Sequence, residues 1–113
     1  MIRANESIRS RDEPEFQPGD LVRHRRYGYR GVVVAVDSEC QADEAWYQSN
    51  VTQPDRDQPW YHVLVDSTAT NTYAAAENLS ADPTKAPVDH PLVAVFFSSF
   101  VSGKYVRNDT PWP

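Results

Sequence analysis

Apolar and polar positions change rhythm several times along the chain. After the turn formers Pro18-Gly19-Asp20, an extended segment runs from Leu21 to about Arg26, and Tyr27-Gly28-Tyr29 reads as the next turn. Arg30 to Asp37, RGVVVAVD, is dense in β-branched residues, bounded by turn formers and too short for an ordinary helix. It predicts a well-buried strand and, with the preceding segment, a hairpin. Between Cys40 and Asn50 the rhythm becomes helical: Ala42, Ala45, Trp46 and Ser49 fall at i, i+3, i+4 and i+7. That spacing predicts a short helix closing the fold with the Trp46 indole as its plug. Val51 to Pro59 is polar and proline-bearing, hence a loop. In WYHVLVDS, Tyr61, Val63 and Val65 alternate with Trp60, His62 and Leu64, a third strand with both faces used. NTYAAA, Asn71 to Ala76, pairs back as a fourth strand across the Ser67 to Thr70 turn. Glu77-Asn78-Leu79 reads as a tight turn leaving the sheet, and Asp82 to Pro87 as a linker.

The last apolar segment, HPLVAVFFSSFVSGKYV, combines strand-forming residues with helix punctuation. Asp89 or His90 can cap, Pro91 suits the first helical position and Gly103 can end the element, so Pro91 to Phe100 is read as a helix, with strand the competing assignment. As a helix it carries more apolar surface than one small sheet can cover. The expected consequence is a homo-oligomer, self-associating through Leu92, Val95, Phe96, Phe97 and Phe100. Residues 1–15 are charged and poor in apolar side chains, and read as a flexible tail; 16–107 form one domain and 108–113 a C-terminal tail. Four short strands with minor helices predict a mainly β fold, a small SH3-like half-open barrel with one or two short peripheral helices.

Composition narrows the function. With 113 residues the chain has room for one core. Its single cysteine, Cys40, cannot form an internal bridge, which fits a reducing compartment. The apolar runs are far shorter than a membrane span, and the first residues lack the apolar stretch of a signal peptide, so a cytoplasmic protein with no membrane partner is expected. Sixteen acidic residues against 11 basic ones give a net charge of -5, which argues against a generic polyanion binder. One segment departs from that balance. Arg23, Arg25, Arg26 and Arg30 place four arginines in eight positions with no acid among them, around Tyr27 and Tyr29. Guanidinium groups at a hairpin tip can pair with phosphates or guanine edges, and the tyrosines can contact a base. The competing reading is an edge strand whose arginines discourage edge pairing and balance Asp20, Asp55 and Asp57.

His24, His62, His90 and Cys40 contain no close pair of ligands, so no metal or other cofactor is expected. The glycines form no phosphate-cradling loop, and no feature forces Cys40, His62 and Asp66 together as a nucleophilic site, so no catalysis is expected.

Two segments together carry a family likeness: Gly19-Asp20-Leu21-Val22-Arg23-His24 joined to Tyr27-Gly28-Tyr29-Arg30-Gly31-Val32-Val33, and Gln58-Pro59-Trp60-Tyr61-His62-Val63-Leu64-Val65. With Trp46, YAAAENL and HPLV followed by FFSSF, the chain resembles the YccV-like family, also called the HspQ or hemimethylated-DNA-binding domain family, over roughly residues 16–107. The resemblance implies an SH3-like barrel without catalytic activity that binds DNA with a hemimethylated preference and self-associates. In heat-shock members it implies an adaptor or specificity factor for an ATP-dependent protease, and fusion of the same domain in F-box proteins repeats the link to protein degradation. On this chain the DNA role would fall to Arg23, Arg25, Arg26, Tyr27, Tyr29 and Arg30. The alternative is a protein-interaction module engaging a protease or its clients through the acidic face.

Overall fold

A computed structural model describes residues 15–113. The alternating segments form strands where their patterns place them: β1, Leu21–His24; β2, Arg30–Asp37; β3, Trp60–Val65; β4, Asn71–Ala75. All neighbours are antiparallel, with Leu21 opposite Val32, Val33 opposite Val63 and His62 opposite Tyr73. Beyond β4, Ala76–Asn78 make one 3₁₀ turn. The chain does not leave the sheet there, as the sequence reading expected. It re-enters as β5, Leu79–Ala81, which pairs with β1 and sets Leu79 opposite His24. Burial of the Leu79 side chain decides this, a tertiary gain that a three-residue strand cannot announce in its own sequence. The strand order is β4-β3-β2-β1-β5, curved and not closed, the mainly β half-open barrel expected.

The C-terminal segment is the main correction. Instead of a helix from Pro91 to Phe100, only one turn forms, α2 at Val93–Phe96, after which β6, Phe97–Val101, and β7, Lys104–Arg107, make a hairpin. Ser102 and Gly103 both take positive φ, 53° and 78°, the conformation of a two-residue hairpin turn, so Gly103 serves a turn rather than a helix end. Phe96 and Phe97 are each 5% exposed and pack with Leu21, Val32, Val34, Leu64, Val88 and Tyr105, while Leu92 and Phe100 lie partly buried against the same cluster. The apolar surface that motivated self-association is therefore largely consumed by the chain's own barrel. Of those five residues only Val95, 45% exposed, remains open.

β2 is apolar on both faces. Val32 and Val34 face the hairpin cluster, and Val33 faces a second one containing Phe16, Val22, Tyr61, Val63, Ala74 and Leu79, with a register shift between Val33 and Ala35. Gly19 knits hairpin to sheet: its N–H donates to the Val33 carbonyl at 2.8 Å and its carbonyl accepts from the Tyr105 N–H at 3.0 Å. Its φ is 103°, and a Cβ there would overlap the Tyr105 carbonyl oxygen, so only glycine fits. The C-terminal residues pack as well, Trp112 lying 5.2 Å from the Phe96 ring and 5.6 Å from His62.

Polar closure of the barrel centres on Arg30. Its Nε donates to Asp82 Oδ2 at 2.9 Å and its Nη1 to Asp66 Oδ2 at 3.0 Å, and it also donates to the carbonyls of Ala86 and Pro87. Asp66 in turn accepts the Asp89 N–H at 2.7 Å. The stretch from Asp82 to Pro87, expected as a linker, is thereby clamped to the sheet. Burial works against the Arg30 charge, but the hydrogen bonds to Asp82 and Asp66 outweigh it and raise its pKa. For Asp66 the Asp89 N–H is the main cause of a lowered pKa; for Asp82 burial opposes the charge and is overcome by Thr84 and Arg30.

Replacing Asp82 by Ala, which removes the carboxylate that Arg30 Nε and Arg23 share while Asp66 still holds Arg30, is expected to cost about 2 kcal/mol in urea unfolding at pH 7. Because Asp66 and Asp82 have depressed folded pKa values, their stabilisation is complete above the ordinary value of 3.8 and is lost as pH falls through the lower folded values. Wild type and variant therefore converge in stability on acidification below about pH 4.

Candidate nucleic-acid interface

The tip between β1 and β2 is built around a buried histidine. His24 Nδ1 accepts the backbone N–H groups of both Arg26 and Tyr27 at 3.1 Å, and its ring stacks on Tyr27 with centroids 4.7 Å apart. Gly28, at φ 77°, returns its N–H to the His24 carbonyl at 2.9 Å, and the Arg25 N–H donates to the Asn78 carbonyl at 2.8 Å. Burial first, and the Arg26 charge second, push the His24 pKa down, which keeps the ring neutral and Nδ1 free to accept.

This frame sorts the six residues singled out in the sequence. Arg25 and Arg26 are exposed and have no carboxylate partner among the described residues; the Arg26 guanidinium lies 5.7 Å from the Tyr27 ring centre. Tyr27 is 56% exposed beside them. Arg23, with its side chain 42% exposed, is drawn to Asp82 at 3.4 Å. Arg30 has a side chain only 17% exposed and is fully engaged in the clamp. Tyr29 turns inward, its hydroxyl 2.7 Å from Thr72 Oγ1, and burial raises its pKa. The structure thus brings Arg25, Arg26 and Tyr27 together at the surface and gives Arg30 and Tyr29 to the architecture.

Sequence reading missed the feature beside this tip. A cleft of about 440 Å³ runs along β4 from Tyr27 and Asn78 to Trp46 and Asn50. Its far wall is α1, Glu44–Ser49, started by Asp43, whose Oδ1 accepts the Trp46 N–H at 2.8 Å. No α1 residue is buried, so Trp46 does not plug the barrel interior; it packs edge-on against Trp60 at 6.1 Å and against Tyr73 at 5.6 Å, outside the sheet. Trp60 and Tyr73 share that outer face because Trp60 and His62 in β3 stand opposite Ala75 and Tyr73 in β4. Asp37 fixes the cluster: Tyr73 donates to its Oδ2 at 2.6 Å, and His62 Nε2 lies 3.1 Å from the same oxygen. Burial, then the Asp37 carboxylate, raise the Tyr73 pKa. The available signal was the alternation of Trp60 and His62 with Tyr61 and Val63, which marks both faces of β3 as occupied.

His62 pairs with Asp37, Asp66 belongs to the Arg30 clamp and Cys40 is buried, so these three are committed to separate environments. Among the described residues no three His, Cys, Asp or Glu converge as metal ligands. No helix among them is long and apolar enough to cross a membrane.

A family profile described as "Hemimethylated DNA-binding protein YccV like" matches residues 14–104. The chain belongs to the YccV-like family. Its YccV-like segment is also 34% identical over 96 residues to proteins named F-box only protein 21 from Homo sapiens and Pongo abelii, and a protein of that name from Mus musculus matches equally well. Each match covers 82% of this chain and 15% of the relative, so the YccV-like chain spans a small part of those proteins.

The neutral His24 gives the tip a pH response. Its depressed pKa means that tip stability is complete above the ordinary histidine value of 6.5 and declines as pH falls through the lower folded value. NMR titration is expected to place the His24 midpoint below 6.5, with amide exchange at Arg26 and Tyr27 accelerating over the same range. A His24 midpoint at or above that value would show that the two N–H groups do not hold the ring.

Proposed function

We propose that this YccV-like chain is a non-enzymatic DNA-binding module whose phosphate contacts are made by Arg25 and Arg26 at the β1–β2 tip, with Tyr27 as the base-contacting side chain. The observation that carries the reading is the pair of exposed guanidinium groups without carboxylate partners among the described residues, on a chain of net charge -5. Such a pair is a localised cationic spot rather than a general field, which favours a specific contact over non-specific coating of a polyanion. The family description supports DNA as the partner, and the preference for hemimethylated duplexes is carried over from it.

A second reading, a protein-interaction module such as an adaptor for an ATP-dependent protease, is favoured by one observation. β4 ends the sheet, and its outer edge pairs with no other described strand, leaving a template on which an extended peptide can pair. The F-box-named relatives are consistent with a protein partner.

Anisotropy titrations with unmethylated, hemimethylated and fully methylated duplexes over a salt series decide between them. With Arg23 and Arg30 held by carboxylates, the DNA reading expects a slope of log K against log salt of roughly -2. It also expects tightest binding to the hemimethylated duplex, and at least a tenfold loss at low salt in an Arg25→Ala, Arg26→Ala double variant. Negligible affinity for all three duplexes at low salt would end the DNA reading.

A further inference from the structure

The composition of the cleft is unusual for a surface groove. Seven of its lining side chains are aromatic rings, among them Tyr27 at one end and Trp46 at the other, and none is a carboxylate, lysine or arginine. The scarcity of aliphatic lining disfavours a branched apolar guest, and ring faces suit a planar π system.

The floor adds hydrogen-bonding capacity. The Ala76 N–H donates to the Pro59 carbonyl at 2.9 Å and the Val65 N–H to the Thr70 carbonyl at 3.0 Å, which fixes the phase of the β3–β4 ladder between them. Alternation then makes Tyr61 with Ala74, and Val63 with Thr72, the bonded pairs, so the backbone N–H and C=O groups of Asn71, Tyr73 and Ala75 point away from β3 toward the open edge. The side-chain amide of Asn78 lines the same space. Arg25 and Arg26 follow directly on His24, which lines the mouth, and carry the cationic charge that the cleft itself lacks.

We propose that this cleft is a pocket for a single unstacked nucleobase, with the flanking phosphate held by Arg25 and Arg26. The inference rests on the DNA-binding reading above and deepens it. The preferred ligand is nucleic acid in which a base has left the helical stack, because a paired base shows a protein only its groove edge and cannot enter between rings. The volume of about 440 Å³ lies within the ~300–1,000 Å³ range of small-ligand sites and admits one nucleotide. Donors and acceptors in the floor meet the edge of the base, while the rings accept its face. An acidic peptide pairing along β4 is the competing occupant.

The test compares three labelled oligonucleotides of equal length: an intact single strand, the same strand with its central positions abasic, and the duplex. All three are titrated into the full chain at low salt. The pocket predicts that the intact strand binds about tenfold or more tightly than the abasic strand, which carries the same charge, and more tightly than the duplex. Trp46→Ala should bring the intact strand down to the level of the abasic one. Equal affinity for intact and abasic strands, or tighter binding of the duplex, would overturn the pocket while leaving DNA binding in place. Because this comparison is made on the wild-type chain, it stands even if the Trp46 variant fails to fold. Failure of all three to bind would remove the DNA-binding reading and the pocket with it. Amide shifts at Asn71 to Ala75 with an acidic peptide, and none with any oligonucleotide, would assign the cleft to strand pairing.

Discussion

The Arg30 clamp is the constraint on which the remaining features depend. One guanidinium at the start of β2 reaches Asp82, Asp66 and two backbone carbonyls, joining three stretches that are distant in sequence. Together with the Val88 N–H bonded to the Tyr105 hydroxyl at 2.9 Å and the Asp82 N–H to the Leu21 carbonyl at 3.0 Å, it lays the segment from Asp82 to Asp89 against the barrel and delivers Val88 to the hairpin cluster. The clamp also determines the electrostatics of the tip. It absorbs Asp66 and Asp82, and Asp82 holds Arg23 as well, so two of the four neighbouring arginines are neutralised and the other two have no carboxylate partner among the described residues. The cationic character of the tip is thus a residue of internal pairing: what remains once structure has taken its share.

His24 performs the complementary task in the backbone. A turn that displays two arginines and a tyrosine has few favourable contacts of its own, and like charges resist being held together. A neutral imidazole accepting two N–H groups fixes the backbone of Arg26 and Tyr27 from beneath, so the tip is ordered by a group that adds no charge to it. The same ring forms part of the cleft wall, which links the cationic spot to the aromatic channel beside it.

The four principal strands were legible because each is bounded by turn residues and carries a period that only a strand satisfies. β2 illustrates this best, with RGVVVAVD set between Tyr27-Gly28-Tyr29 and Asp37-Ser38. Two elements were not legible, for different reasons. β5 is three residues long and owes its existence to pairing with β1 and to the burial of Leu79. The C-terminal segment carries true helix-start signals at Pro91, but they are spent in one turn, after which Ser102-Gly103 and the demand of the barrel for Phe96 and Phe97 favour a hairpin. At the site, the arginine cluster was visible and its sorting was not. Arg25 and Arg30 are the same residue type five positions apart, and they differ only because Asp66 and Asp82 arrive from 36 and 52 residues away in sequence to meet Arg30. Trp46 was recognised as important and placed on the wrong side of the sheet, since helical spacing shows which residues share a face but not what that face meets.

β2 acts as a party wall between two apolar rooms, with Val33 facing one and Val32 and Val34 the other. Neither room can be dismantled while its neighbour stands, because stripping one side of the wall leaves a β-branched strand half-wetted and the opposite side without its backing. Loss of the terminal hairpin would wet Val32 and Val34 and remove the backing from the sheet behind them, a coupling that favours cooperative unfolding.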